Sequence, residues 1–190
     1  MSKIVWDVSA SQDGFTAGPN VRETEPMGDG GEELHAWMAG DGPDGKLDLE
    51  VFQELEARVG ATLIGRRTFD LGLRPWGGTP WPGVASFVIT HRPRPDLLGD
   101  NGGVFAFDAL TAAAQRAKDA AGEKDVIVLG ADVARQLLRA GLLDEVWLHR
   151  APILLGGGTP LFDGERAELV PEARAVAGFA VHQRFRVTNA

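Results

Sequence analysis

The sequence predicts an α/β fold with a mostly parallel sheet, and three observations predict it. Apolar, strand-like segments alternate with amphipathic helical segments through the middle of the chain, which is the pattern of repeated βα units. Residues 125–129 contain the uninterrupted apolar run VIVL, typical of a strand buried on both faces of a parallel sheet. The chain has 190 residues, 44% of them hydrophobic, enough for one core. We therefore expect a single domain over residues 1–190.

The first half of the chain is predicted to hold three strands and two helices. The strands are apolar, β-rich runs at residues 4–9, 61–64 and 85–90. A short helix is expected at 32–39, and a longer one at 49–59 because apolar residues recur there on one face. Gly60 is the expected C-cap of the longer helix. Asp13-Gly14 is an expected turn after the first strand.

The second half is predicted to hold five strands and two helices. The strands lie at 103–107, 125–129, 145–150, 167–177 and 179–188. One helix should run to about residue 121 with Asp108 as its N-cap, and another should span 132–140. Gly122 and Gly141 are the expected stops. The last two strands can close as an antiparallel hairpin at Ala177-Gly178, which gives the parallel sheet an antiparallel edge.

Composition excludes several classes of function. The net charge of −8 argues against a general nucleic-acid binder, so any phosphate must be held by a local basic cluster. The absence of cysteine excludes disulfides, thiolate nucleophiles and zinc–thiolate sites, and it suits a reducing cytoplasm. The four histidines are far apart in the sequence, so we expect no metal site. No apolar run approaches the roughly 20 residues that span a bilayer, and the first residues turn polar too early for a signal peptide.

Three predicted strand ends carry residues suited to phosphate. They are Gly65-Arg66-Arg67-Thr68, Thr90-His91-Arg92 and Gly130-Ala131-Asp132. Ligands of open α/β sheets bind outside the carboxyl ends of the strands. A helix that starts at Thr68 could hold a phosphate oxygen with its N–H groups, and the arginines could clamp another.

Each strand end also has a simpler interpretation. The first can be a capped helix with exposed arginines, and the second a solvated loop. The third can be a plain βα loop in which Asp132 is the N-cap and competes with an anion for the same N–H groups. No Walker-A loop, G-x-S-x-G elbow or H-E-x-x-H motif occurs in the chain.

Four segments together resemble a known family. They are the S-x-D-G register that ends at Asp13-Gly14, GRRTF (65–69), VITHRP (88–93) and LGADVARQLLRAGLLDEVWLHRAPILLGGGTPLF (129–162). The chain resembles the dihydrofolate reductase-like family, in particular stand-alone relatives of the reductase domain of the bacterial bifunctional riboflavin deaminase-reductase. The resemblance implies a three-layer α/β/α fold with a mostly parallel mixed central sheet and an antiparallel C-terminal hairpin.

The resemblance also implies NADPH as cofactor and assigns residues to it. Arg66, Arg67 and Thr68, with Gly65 before them, would meet the adenosine side and the pyrophosphate. Thr90, His91 and Arg92 would line the site of the 2′-phosphate. Gly130, Ala131, Asp132 and Val133 would lie along the pyrophosphate, and the loop from Asp13 to Ala17 near the nicotinamide. One departure is that the family usually has adjacent glycines where this chain has Gly130-Ala131.

The function implied is hydride transfer from NADPH to a small heterocycle, such as 5-amino-6-(5-phosphoribosylamino)uracil, a pterin or dihydrofolate. Asp13 and His35 are the candidates for a catalytic proton donor, with a structural role as the alternative for each. The resemblance further implies a homodimer. Two other functions stay open: a non-catalytic nucleotide-binding or sensory protein that retains the fold, and an unrelated nucleotide-binding α/β protein.

Overall fold

The computed structural model of the protein describes residues 2–40, 45–92, 94–176 and 178–188. These residues form two compact units, each described by itself. The first unit comprises Met1–Trp6 with Arg58–Asp144, and the second Asp7–Ala57 with Glu145–Ala190.

The helices and strands follow one another in a fixed order along the chain. They are β1 (Ile4–Ala10), β2 (Phe15–Ala17), a 3-10 helix (Gly31–Ala39), α1 (Gly45–Arg58), β3 (Val59–Gly65), α2 (Arg66–Trp76), β4 (Ala85–Ile89), β5 (Leu97–Leu98), β6 (Val104–Asp108), α3 (Leu110–Ala121), β7 (Asp125–Leu129), α4 (Ala131–Arg139), β8 (Glu145–Arg150), β9 (Thr159–Pro160), β10 (Glu168–Val176) and β11 (Val181–Thr188).

The first unit contains the parallel part of the sheet. Its strand order is β1-β7-β3-β4-β6-β5, and every neighbouring pair is parallel except β6 with β5. Strand β7 lies between β1 and β3 and is buried from Asp125 to Val128, as its apolar run predicts. Helix α3 buries four alanines, namely Ala113, Ala114, Ala117 and Ala121. These small side chains let the helix pack closely on the strands. The predicted α/β class with a mostly parallel sheet is confirmed.

Two predicted helix boundaries in this part of the chain are wrong. Asp108 is the last residue of β6 rather than an N-cap, and its carboxylate pairs with Arg116, two turns into α3. The N-cap of α3 is Ala109. Gly60 is not a C-cap, because α1 ends at Arg58 and Gly60 belongs to β3. The predicted stop of α3 at Gly122 is confirmed, with φ of +63° at that residue.

The second unit contains the antiparallel strands. Its strand order is β10-β11-β8-β1, in which β10 with β11 and β11 with β8 are antiparallel. The predicted C-terminal hairpin is therefore confirmed, although Ala177 at its turn lies outside the described residues. The pair β2 and β9, which the sequence did not predict, is also antiparallel. The short helix expected at 32–39 is a 3-10 helix.

Within the described residues, no helix is both long enough and apolar enough to cross a membrane.

We expect β7 to be the most sensitive strand of the first unit. Ile127 is fully buried, so Ile127→Ala should lower the free energy of unfolding by about 2–5 kcal/mol through lost burial and an unfilled cavity. Urea denaturation followed by circular dichroism measures this loss. Leu98→Ala is the matched control, because Leu98 on the edge strand β5 is 72% exposed and its loss should cost less than about 0.5 kcal/mol. Equal losses in the two variants would contradict the position of β7 in the core.

Candidate functional site

The carboxyl ends of β7, β3 and β4 lie side by side in the first unit. Strand β3 is the middle one: its Ile64 is in register with Leu129 of β7, and its Gly65 with Ile89 of β4. The next residues along the chain are Arg66, Thr90 and Gly130. The structure thus brings together the three strand ends that the sequence singled out for phosphate.

Two helices begin at this edge, and no described side chain caps either of them. Helix α2 follows Gly65, and α4 follows Gly130. Because the first N–H groups of a helix have no partner within it, these two starts offer donors and the positive ends of two helix dipoles. A helix N-terminus of this kind binds anions such as phosphate.

Two details of the predicted helix starts are wrong. Helix α2 begins at Arg66 rather than at Thr68, so the Thr68 hydroxyl lies within its first turn. Asp132 is not an N-cap, because Gly130 holds that position and the Asp132 carboxylate accepts a hydrogen bond from Gln136 Nε2 at 2.7 Å. The carboxylate is therefore bonded along the exposed side of α4 rather than to the N–H groups of the helix start.

The starts of α2 and α4 fit together through two glycines. Gly130 has φ of +101°, and a Cβ built there would lie 2.6 Å from Thr68 Oγ1. A Cβ on Gly65 would lie 3.0 Å from Val133 Cγ2. The close approach requires glycine at 130 on both backbone and packing grounds. It fixes the hydroxyl of Thr68 next to the turn from β7 into α4.

Ala131, where the family usually has a second glycine, does not obstruct this edge. It is the first residue of α4 and only 5% exposed, so its methyl group packs inside the unit. The positive φ is confined to Gly130, and Ala131 has an ordinary helical position. The substitution therefore leaves the helix start intact.

The basic residues at the same edge differ in their partners. Arg66 Nε donates to Asp70 Oδ1 at 2.9 Å, an exposed pair one turn apart on α2. Arg67 is exposed and forms no ion pair with any described residue. At the end of β4, the Arg92 N–H donates to Thr90 Oγ1 at 3.1 Å, which fixes the turn and leaves His91 and Arg92 exposed. Arg67, His91 and Arg92 are thus the groups available to a second phosphate.

Asp13 in the second unit anchors a glycine-rich loop. Its Oδ1 accepts the N–H of Leu155 at 3.1 Å, and its Oδ2 accepts that of Gly156 at 2.7 Å. A hydrogen bond from Ser11, together with these backbone bonds, holds the pKa of Asp13 below its usual value. The carboxylate is therefore ionised at neutral pH, which favours an anchoring role over proton donation. No local sequence pattern predicts this contact, because Asp13 lies more than 140 residues from the glycine run.

Ala17 and His35 also lie in the second unit. Ala17 ends β2, is buried, and is in register with Thr159 of β9. The neighbouring Gly158 comes so close to the Ala17 carbonyl that a Cβ has no room there. Burial lowers the pKa of His35, against the opposing charges of Glu32 and Asp7, so its imidazole is neutral at neutral pH. No hydrogen bond joins His35 to Asp13 in the part of the chain that the structure describes.

One cluster of ionisable groups in the second unit has no signal in the sequence. Asp7 of β1, Asp48 of α1, His149 of β8 and His182 of β11 form a buried hydrogen-bonded chain. Consecutive members are between 33 and 142 residues apart in the sequence, so no local spacing connects them. Helix periodicity could have indicated only that Asp48 lies near the apolar face of α1.

Residues 2–178 match the family model described as the RibD C-terminal domain. This chain belongs to the RibD C-terminal domain family. No curated protein matches it. Membership of the RibD C-terminal domain family confirms the resemblance drawn from the four sequence segments.

Solved structures with the same fold agree with this assignment. A Shewanella sp. PV-4 protein, named for riboflavin biosynthesis, is 23% identical with a TM-score of 0.72, and the match covers 100% of both chains. RibD of Acinetobacter baumannii is 16% identical with a TM-score of 0.63, over 99% of this chain and 58% of that one. Dihydrofolate reductase of Enterococcus faecalis, complexed with NADP(H), is 17% identical with a TM-score of 0.54, over 98% and 97%. At these identities the likeness establishes the fold, which confirms the dihydrofolate reductase-like prediction.

The contact between Gly130 and Thr68 can be tested by a double-mutant cycle. Gly130→Ala should destabilise the protein by about 2–5 kcal/mol, because it combines an unfavourable positive φ with overpacking. Thr68→Ala should restore more than about 0.5 kcal/mol in that background, since the contact is with Oγ1 and the Thr68 Cβ lies at 3.8 Å. Thermal and urea unfolding of the four proteins measure the coupling.

Gly77→Ala provides the control for backbone strain alone. Gly77 has φ of +60° and nothing within 4 Å of a built Cβ, so alanine there should cost only about 1–2 kcal/mol. Strictly additive effects of Gly130→Ala and Thr68→Ala would show that the two residues are not in contact.

Proposed function

We propose that this protein is an NADPH-dependent reductase that transfers a hydride to a small heterocyclic substrate. The observation that carries the proposal is the pair of uncapped helix starts at the adjacent ends of β3 and β7, beside exposed basic side chains. Membership of the RibD C-terminal domain family supports the same assignment.

The first unit has the donors that the diphosphate of a dinucleotide requires. The N–H groups at the starts of α2 and α4, with the Thr68 hydroxyl between them, would bind the pyrophosphate oxygens. Gly65 and Gly130 keep that edge free of side chains, and Ala131, Asp132 and Val133 form the first turn of α4. These groups suit a diphosphate for two reasons. A helix start carries partial positive charge, and no described side chain caps either start.

The exposed basic side chains beside the helix starts would select NADPH over NADH. Arg67 has no described acidic partner, and Arg92 and His91 are exposed at the end of the neighbouring strand. A guanidinium binds a phosphate through charge-assisted hydrogen bonds. In a chain with a net charge of −8, this local cluster is the feature that can attract a 2′-phosphate.

The substrates proposed are 5-amino-6-(5-phosphoribosylamino)uracil, a pterin or dihydrofolate. NADPH supplies the hydride, and the protein must position the substrate and exclude water. Asp13 and Ala17 in the second unit remain the proposed neighbours of the nicotinamide, and His35 the proposed proton donor or acceptor. We further propose that residues 1–190 act as one reductase domain, in the cytoplasm and as a homodimer.

The first experiment is a titration with NADPH and with NADH, followed by quenching of tryptophan fluorescence. Micromolar binding of NADPH with much weaker binding of NADH is expected. The second step measures loss of NADPH absorbance with 5-amino-6-(5-phosphoribosylamino)uracil and with dihydrofolate as probes. Binding without turnover of either probe would favour the non-catalytic nucleotide-binding function. Failure to bind either cofactor would overturn the proposal.

Arg67→Ala tests the selection of the 2′-phosphate. Loss of a hydrogen bond to a charged partner costs about 1.5–3 kcal/mol, so NADPH affinity should fall by roughly 10- to 150-fold. NADH affinity should change by less than about threefold, because NADH has no 2′-phosphate. Arg74→Ala is the control, since Arg74 is an exposed arginine in the last turn of the same helix. Equal weakening of both cofactors by Arg67→Ala would remove the assignment.

Ala131→Gly tests whether the departure from the paired glycines matters. The Ala131 methyl is buried, so glycine should leave the affinity for NADPH within about twofold. The free energy of unfolding should fall by about 0.5–1 kcal/mol, because glycine loses more conformational entropy in a helix. Fluorescence titration and urea denaturation measure the two effects. A large gain in NADPH affinity would show that the methyl obstructs the site after all.

A further inference from the structure

The four ionisable side chains buried in the second unit form one continuous hydrogen-bonded chain. His149 Nε2 lies 2.9 Å from Asp7 Oδ2, and His182 Nε2 lies 2.8 Å from Asp48 Oδ1. The two histidines meet through their Nδ1 atoms, which are 2.6 Å apart. All four side chains belong to residues no more than 8% exposed. Below, these residues are called the Asp–His–His–Asp chain.

The three contacts fix how many protons the Asp–His–His–Asp chain must hold. Each contact joins two atoms that both carry lone pairs, so each needs one proton between them. Two neutral imidazoles and two carboxylates supply only two protons. With only two, one of the three contacts would bring lone pairs face to face at 2.9 Å or less, and they would repel. The geometry therefore requires a third proton and a net charge of −1 on the chain.

A metal ion does not account for the histidine pair. Imidazole nitrogens lie about 2.0–2.1 Å from a zinc ion, which puts two tetrahedral ligands well over 3 Å apart. A separation of 2.6 Å instead requires one proton between the two nitrogens, as in a hydrogen bond. The two outer carboxylates supply the negative charge that such a shared proton needs.

Trp37 packs against the two histidines at the centre of the Asp–His–His–Asp chain. Its ring stacks on His149 with 4.3 Å between centroids and lies edge-on to His182 at 5.1 Å. The face of an indole attracts a cation. Trp37 is itself held in place, because its Nε1 donates to Ser9 Oγ at 2.9 Å.

Few other titratable groups of the second unit act on the Asp–His–His–Asp chain. In the 3-10 helix, the charges of Asp7 and Glu32 raise the pKa of His35, and that of His149 lowers it. Arg184 of β11 pairs with Glu54 of α1 at an exposed position, and Glu145 of β8 accepts from Trp147. The immediate charge environment of the chain is thus its own two carboxylates and His35.

We propose that the Asp–His–His–Asp chain is a proton-binding site that must hold three protons for the second unit to be stably folded. Its members join four elements, β1, β8, β11 and α1, and Asp48 Oδ2 also accepts the Phe179 N–H ahead of β11 at 3.2 Å. The chain therefore makes the stability of this unit depend on pH from both sides. This inference goes beyond the reductase function and does not depend on it.

Proton linkage gives the sign on the alkaline side. Unfolded histidines have a pKa of about 6.5. Above that pH the two unfolded histidines hold one proton each, whereas the folded pair holds one more. The unfolded state therefore binds fewer protons, and the unfolding equilibrium constant rises up to tenfold per pH unit. The rise ends where the folded Asp–His–His–Asp chain also releases its extra proton.

On the acid side the sign reverses. Burial lowers the pKa of His182, against the hydrogen bond to Asp48, and the charge of His149 lowers it further. The folded Asp–His–His–Asp chain therefore resists a fourth proton, whereas the unfolded histidines accept one below about pH 6.5. Stability consequently falls as the pH falls. His35 adds to the same side, since burial lowers its pKa too. Maximal stability is expected near pH 6.5, and the alkaline loss is the one specific to the chain.

Nitrogen-15 NMR of the histidine rings in the wild-type protein tests the proton count directly. At about pH 8, we expect three ring N–H protons on His149 and His182 together, one of them strongly deshielded by the short bridge. His91, which is exposed and outside the chain, supplies the reference signals. Two neutral rings with one proton each would overturn the proposal, and this readout needs neither a variant nor a cofactor.

His182→Gln and Asp7→Asn test the link to stability. The alkaline rise in the unfolding equilibrium constant should vanish in His182→Gln, and it should begin at lower pH in Asp7→Asn, which removes one stabilising charge. Glu54→Gln is the control, because Glu54 joins the same two elements, α1 and β11, at an exposed position. An unchanged pH profile in folded His182→Gln would overturn the proposal. If that variant does not fold, the wild-type NMR count decides.

Discussion

The first unit depends on how closely two helices can begin beside one another at the edge of a parallel sheet. Because β3 and β7 are neighbours in register, α2 and α4 must both start within one strand spacing. Gly130 makes this possible, since a side chain there would collide with Thr68. Both N-caps are glycines, so no N-cap side chain bonds the first N–H groups of either helix. A packing constraint thus shapes the edge at which we propose that an anion binds.

The second unit solves the opposite problem, that of polar groups with no access to water. Asp7, Asp48 and the paired histidines are buried, and all have hydrogen-bond partners within the unit. Burying such groups is costly unless each is paired, and removing one partner leaves the other unsatisfied. These contacts join segments that are distant in the sequence, such as β1 with β8. They specify which strands and helix belong together, a role that apolar packing alone performs less selectively.

The parts of the fold that could be predicted are those where one local signal dominates. The bounds of β7 and β8 agree with the predicted ones, because the apolar runs VIVL and VWL are each bounded by polar residues or glycine. The N-cap at Asp108 was wrong because Arg116, eight residues later, binds that carboxylate. Strands β2 and β9 are three and two residues long, so their existence depends on each other rather than on their own sequence. The Asp–His–His–Asp chain could not be predicted either, since the partner of each residue is far away in the sequence.

The candidate site could likewise be predicted from the sequence only in part. Glycine and arginine at strand ends could be found in the sequence because a βα unit places them reliably, and only the partner of Arg66 needed coordinates. The acid–base groups could not be assigned, because whether Asp13 or His35 holds a proton depends on burial and distant hydrogen bonds. The proposed phosphate-binding features therefore lie in one unit and the ionisable candidates in the other. If the proposed function holds, cofactor binding and turnover can be lost independently, because the residues proposed for each lie in different units.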